Sequence, residues 1–299
     1  MSFFERYRHQ ITLHIIILIW GFTGILGKVI TIPYYSIVIY RMGIAFLALL
    51  IYLLITKKPF EKSLKKIALF ILVGILVGAH WATFFQAIKV SNVSVTLTTL
   101  ASTSFFVAFL EPLFFKRKII WYEVFFGLLV VLGLYLIFSF ETQYQLGIIL
   151  ALFSALTAAI FSVINGRLVI KSSAGQITMY EMFGGVLGIS IYTFFFETIE
   201  IGAFSPTDLD VFYLLILGII CTAVAFVVSV QVMKYLSPFT VSISINMEPI
   251  YAIILALIFF GESEKMTIGF YFGAALILST VIGNGLLKSY FKKQINIKA

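Results

Sequence analysis

Ten runs of about twenty apolar residues constrain this chain more than anything else in it. They lie near 12–30, 34–55, 67–88, 93–114, 121–140, 146–165, 177–197, 211–233, 240–260 and 267–287. About 20 apolar residues in helical form cross the hydrocarbon of a bilayer. No water is available there, so every backbone N–H and C=O needs an internal partner, which only helices and closed barrels supply. Barrel strands alternate apolar and polar residues over about ten positions, whereas these runs are continuous. The expected fold class is therefore an all-α integral membrane protein with ten transmembrane helices. Composition removes the soluble alternative: 11% of residues are charged and 61% hydrophobic, against about a quarter charged in soluble domains. A soluble surface could not hide that much apolar area. The aromatic share, 17%, is expected mostly at the lipid-facing and interfacial surface.

The connections are short, the longest being 56–66 and 198–210, so 1–299 reads as a single membrane domain. No small-x-small cleavage site follows the first run, which reads as an uncleaved span. With a cytoplasmic N-terminus, seventeen of the 21 Lys and Arg fall in inner segments, Lys28, Lys89 and Lys265 fall outside, and Arg41 lies within a span. Basic loops stay cytoplasmic, so both termini are expected inside a multi-pass inner (cytoplasmic) membrane protein. Glu141, Glu197, Glu200, Asp208, Asp210, Glu262 and Glu264 lean to the outer side. The net charge of +8 is then a topology signal. A nucleic-acid partner would need one basic face on a soluble fold.

Chemistry of the enzymatic kind finds no motif. The lone Cys221 excludes an internal disulfide and a Cys-based metal site. His9, His14 and His80 are scattered, and there is no His-Glu-x-x-His, no phosphate-cradling GxxxxGK[ST] and no Gly-x-Ser-x-Gly elbow. The expectation is no enzyme, no cofactor and no metal, with the lipid bilayer and a small-molecule substrate as partners. Oligomeric state is not written in the sequence.

Ten spans divide into five and five, which would give two copies of a five-helix unit opposite orientations: 12–140 and 146–287. An offset of 146 lays Thr96, Thr98 and Ser102 on Ser242, Ser244 and Glu248, and an offset of 140 lays Tyr40-Arg41-Met42 on Tyr180-Glu181-Met182. Two inverted five-helix repeats are a transporter architecture, with the substrate site near the midplane between the halves.

At this point the chain resembles the drug/metabolite transporter superfamily, in particular its EamA-like branch. The residues carrying the likeness are Trp20-Gly21, Arg41, Leu236-Ser-Pro and above all the run from Glu248-Pro249 to Gly261-Glu262. Thr103 stands where the repeat would place proline and Lys116 where it would place glutamate. The resemblance covers essentially the whole chain. It implies a cytoplasmic-membrane carrier, often an exporter of amino acids or other small metabolites. The alternatives are a small-molecule channel or facilitator and a non-transporting membrane protein.

Ionisable groups at membrane depth are costly and are functional candidates. Glu248 sits near mid-span, before a proline that removes a backbone donor. Ser244, Glu248 and Tyr251 share one helical face, and Thr98 and Ser102 are their first-half counterparts. They read as a cavity wall, or, for Glu248, as a structural cap on loosened backbone. Trp20 in mid-span, and His80 with Trp81, complete the substrate-binding candidates. Arg41, Glu181 and Asn246 are candidates for gating or coupling, with structural roles as the alternative. If Glu248 titrates, proton coupling follows; if not, the carrier is a facilitator.

Overall fold

The computed structural model describes residues 3–297 other than Arg117, Ile119 and Asn246, with side chains described mainly between Tyr7 and Thr280. Among the described residues the chain is all-helical. In order, α1 is Phe3–Val29, α2 Tyr34–Ile55, α3 Leu64–Val90, α4 Val93–Leu100, α5 Thr103–Phe115, α6 Trp121–Phe140, α7 Gln145–Lys171 and α8 Ala174–Phe196. Then come α9 (Asp208–Leu215), a π-helical segment (Ile216–Val224), α10 (Ala225–Val232), α11 (Pro238–Ile245), α12 (Glu248–Phe260) and α13 (Ile268–Ile297).

Among the described residues, seven stretches are long and apolar enough to cross a membrane: Tyr7–Val29, Tyr34–Ile55, Leu64–Val90, Val93–Phe115, Thr142–Lys171, Ala174–Phe196 and Asp208–Val232. The apolar stretches Val124–Phe140 and Ile268–Thr280 are parts of the longer helices α6 and α13. The expected ninth run is not one helix; it is α11 and α12, of 8 and 13 residues. Ten uninterrupted spans are therefore not what the chain forms. Large apolar side chains crowd the outer surface, with Phe194, Phe195, Phe196 and Ile258 all about seven-tenths exposed or more, a girdle that only lipid solvates well.

The fourth run is broken as well, into α4 and α5, again of 8 and 13 residues. The cause differs between the two breaks. Pro249 has no N–H to offer the carbonyl of Ile245 one turn back. In the first half hydroxyls compete for the backbone: Thr103 Oγ1 donates to Leu100 O at 2.7 Å and Ser104 Oγ to Ala101 O at 3.1 Å. Both second half-helices end on a residue of positive φ, Lys116 with φ 54° and Gly261 with φ 55°, and of the two Lys116 is in the left-handed helical region.

The two halves repeat each other in packing. Helices α1 and α7 are both 27 residues long. Helix α1 packs on α12 as α7 packs on α5, and α4 packs on α12 as α11 packs on α5. The correspondence reaches single residues. A Cβ on Gly24 would meet Val93, at the start of α4; one on Gly166 would meet Pro238, at the start of α11. Gly74 lies against the Glu181 backbone, and Gly218 against Ile44 and the Arg41 carbonyl. The half-helix boundaries set the register at 145, not 146: Thr103 corresponds to Glu248 and Lys116 to Gly261. This corrects the pairing of Ser102 with Glu248.

Contacts at the helix ends separate two faces. On the face where α1 begins, His9 stacks on Tyr235 at 3.9 Å between ring centroids, Gln176 donates to Pro59 O, and the Phe239 N–H of α11 donates to Glu111 at 2.6 Å. On the opposite face, Glu264 accepts from the Val93 and Ser94 N–H groups of α4, from Ser94 Oγ, and from Lys28 at 2.8 Å. Asp210 accepts from Thr31 N–H and Oγ1, and Glu141 from Thr267 N–H and Oγ1. A carboxylate at a helix N-terminus satisfies orphan N–H groups and meets the positive end of the dipole. Of the resemblance's Gly261-Glu262 pair, Glu262 is exposed and pairs with Lys265; Glu264 is buried.

Candidate functional site

Between the halves lies a cavity of about 900 Å³, open solvent included. Its wall is assembled in corresponding pairs. Trp20 and Thr23 of α1 face Ser162 and Asn165 of α7; Leu97, Leu100 and Thr103 of the first broken span face Ser242, Ile245 and Glu248 of the second. Breaks at matching places in the two halves free the backbone at the centre, where a substrate would sit. Toward the α1-start face the lining extends to Met233, just beyond the end of α10; toward the other face it goes no further than Thr23, Phe84 and Leu97.

The pairing is not complete, and one departure from it is charged. Arg41 of α2 lines the cavity, whereas its counterpart Glu181 of α8 does not. Arg41 is 1% exposed and rigidly held. Its Nε donates to Thr222 Oγ1 at 2.6 Å, and its guanidinium stacks over Trp81, 3.8 Å from the ring centroid. Cation–π contact of this kind keeps a desolvated guanidinium favourable. Nη1 has no partner, so Arg41 keeps N–H donors for something else. The π segment supplies the hold: Thr222 in turn donates to Leu217 O at 2.7 Å, and Trp20 Nε1 donates to Cys221 O at 3.0 Å. Single π turns recur at functional sites because they displace backbone groups from the regular ladder.

Glu248 is buried at the wall, on the first residue of α12. Among the described residues neither it nor Arg41 takes part in an ion pair. The rest of the lining is aromatic or small: Trp20, Trp81, Phe84, Phe161 and Phe226, with Thr23, Ser162, Ser229 and Ser242. The cavity thus offers one cation with free N–H groups and one unpaired carboxylate, in aromatic surroundings of low dielectric where each counts for more than in water.

Of the sequence candidates, Trp20, Arg41, His80, Trp81 and Glu248 line the cavity together. His80 is also a structural clasp: its Nδ1–H donates to Ser154 O at 3.0 Å, and Ser154 Oγ donates to His80 O at 2.9 Å, joining α3 to α7. Thr98, Ser102, Ser244 and Tyr251 stand off the wall. Thr98 and Ser102 are buried without hydroxyl partners, Ser244 Oγ turns back to Thr240 O at 2.9 Å, and Tyr251 packs against Gly21. The reason is the helix break: a shared face computed for a continuous helix is lost between Ile245 and Glu248, so Ser242 and Ile245 come to the wall in place of Ser244 and Tyr251. Asn246 lies outside the described residues. The sequence reading missed Phe226 and Ser229 on α10 and the Thr222 support. An apolar run with isolated hydroxyls carries no periodic signal for a π turn.

A model of the EamA-like transporter family matches residues 10–139 and again residues 145–286. No curated protein matches. A solved crystal structure, described only as that of a protein, superposes with a TM-score of 0.70 at 14% identity, covering 94% of this chain and 98% of its own. At that identity the likeness speaks for the fold.

Proposed function

The chain belongs to the EamA-like transporter family, and from that premise we propose that it is a secondary transporter of small zwitterionic or amphipathic metabolites, amino acids first among them. The observation that carries this is the pairing of Arg41 and Glu248 in one aromatic cavity without an ion pair between them. A substrate carboxylate would take the free guanidinium N–H groups, a charge-assisted bond. A substrate ammonium would meet Glu248 and the aromatic faces. With a single Arg in the wall, a multiply charged phosphate is a poor fit, since phosphate sites cluster cations.

The two halves act as inverted five-helix repeats in a ten-span bundle, in the cytoplasmic membrane, with both termini in the cytoplasm. In support, α1 begins beside Tyr235, on the face of Gln176 and Pro59, whereas its counterpart α7 begins beside Ser91 on the other face. Transport proceeds by alternating access: the site stays at the centre while the halves rock. On this reading the conformation is the cytoplasm-facing state, and the Lys28–Glu264 and Asp210–Thr31 contacts support a closed outer side.

Purified protein in liposomes tests the reading. Liposomes preloaded with unlabelled phenylalanine, methionine or threonine should take up the labelled amino acid by counterflow, without nucleotide and with saturation. Uptake that never saturates and shows no counterflow points to a channel, and no uptake of any zwitterion sinks the substrate class.

A further inference from the structure

Among the described residues, Glu181 is a fully buried ionisable group that the transport site leaves unexplained. It lies in α8, 0% exposed, and neither carboxylate oxygen has a hydrogen-bond partner. Gly74 presses α3 against its backbone. Asn165 lies beside it near enough to interact, yet both amide atoms of Asn165 also fall short of hydrogen-bond geometry. The Thr178 hydroxyl, one turn away on α8, is unpartnered as well. Asn165 is part of the cavity wall, so a single side chain separates Glu181 from the transport site.

Among the described residues no countercharge pairs with it. Of the elements packed on α8, α2 brings Arg41, whose guanidinium is held at the cavity wall by Thr222 and Trp81. Helix α3 brings His80, clasped by Ser154, and bears Lys65, Lys66 and Lys89 at its ends; α7 brings Arg167 and Lys171; α10 bears no ionisable side chain. Among the described residues none forms an ion pair with Glu181. An ionised carboxylate shut off from bulk solvent and without a hydrogen-bonded donor is far more costly to bury than the neutral acid. The group that fits these surroundings carries a proton.

The internal repeat says what would release it. Arg41 and Glu181 are counterparts: each packs against a matching glycine, Gly218 and Gly74. One lines the cavity and the other is sealed. If the halves exchange conformations during transport, the sealed position and the cavity position exchange too. We propose that Glu181 is a proton-binding site, closed behind Asn165 in this conformation and turned to the cavity in the opposite one, and that the proton is the coupling ion. This rests on the transport reading above. The step is a simple protonation: an O–H bond forms on the carboxylate from one side of the membrane and breaks toward the other, with Asn165 as the partition.

The proton itself is the probe. Infrared difference spectra of the full-length protein in liposomes should show a protonated-carboxyl band at neutral pH that Glu181→Gln removes. In the same liposomes Glu181→Gln should keep counterflow of phenylalanine, methionine or threonine, yet lose the accumulation that an imposed pH gradient drives in the unaltered protein. A band unchanged by the substitution, or gradient-driven accumulation undiminished in it, overturns the proposal. So does counterflow in the unaltered protein with no response to the pH gradient. If Glu181→Gln fails to insert, Glu181→Asp decides: the band should shift and the pH of half-maximal driven uptake should move, and an unmoved profile overturns the proposal. Absence of counterflow in the unaltered protein, with the band present, would strike the transport reading and leave the proton site standing.

Discussion

Arg41 illustrates how a costly residue is made tolerable and useful at once. Its burial is offset by a hydroxyl on Nε and an indole face, and what remains unpaired points to a ligand. Lysine cannot reproduce that planar fork. Arg41→Lys should therefore raise the KM for zwitterion counterflow, and Glu248→Gln should do the same from the ammonium end. Each loses a charge-assisted contact of about 1.5–3 kcal/mol, roughly ten- to a hundredfold in affinity. Unchanged kinetics in a well-folded Glu248→Gln protein would leave Glu248 as a structural cap. Lys116 offers a different check. It holds a left-handed conformation where its counterpart is Gly261, a strain of about 1–2 kcal/mol for a residue with a Cβ. Lys116→Gly should raise the unfolding temperature in detergent without touching transport.

At the level of helices, the ends of the broken spans are held by acids from the opposite half. Glu264 gathers the first N–H groups of α4 together with Lys28, and Glu111 takes the first free N–H of α11. The Glu264 cluster ties the ends of both halves on the face opposite the start of α1; in the orientation proposed above, the outward path opens only when this tie breaks. Glu264→Ala should cost about 0.5–2 kcal/mol as a lost cap. It should also speed labelling of a cysteine placed at the buried, cavity-lining Thr23 by an impermeant thiol reagent; the native Cys221 is buried and contributes little background. Labelling at an unaltered rate would mean the tie is not a gate. The close approach of α3 and α8 is equally specific. A methyl at Gly74 would collide with Glu181 backbone atoms, so Gly74→Ala should destabilise by about 1–3 kcal/mol, read as a fall in the detergent unfolding temperature.

For the whole molecule, rocking of the halves about a central site makes one demand that a fixed pore does not. Lys28→Cys with Glu264→Cys, crosslinked across the outer tie, should abolish counterflow, and reduction should restore it. Counterflow at full rate in the crosslinked protein would favour a pore. Orientation is tested by cysteines introduced singly: sites at Gln143 and Thr207 should react from outside intact cells, and sites at Lys62 and Lys171 should not. Reaction at Lys62 would invert the topology.

Solvent class was legible from residues alone, because a span has to be apolar along its whole length and each run reads independently of its neighbours. The doubling of the chain was legible for the same reason: Tyr40-Arg41-Met42 and Tyr180-Glu181-Met182 can be laid on each other without knowing what they touch. Trp20, His80, Trp81 and Glu248 could be picked out because polar or misplaced aromatic residues are conspicuous in an apolar run. What a face points at was not legible. The choice of Ser242 over Ser244, and of Thr103 over Ser102, follows from two helix breaks whose phase depends on the hydroxyl bonds and the proline together. The hold on Arg41 depends on a π turn that brings Thr222 to it from 181 residues away. Contacts between distant spans are set by packing of the bundle, and only the tertiary structure decides that Arg41 meets the cavity while its counterpart Glu181 is shut behind Asn165.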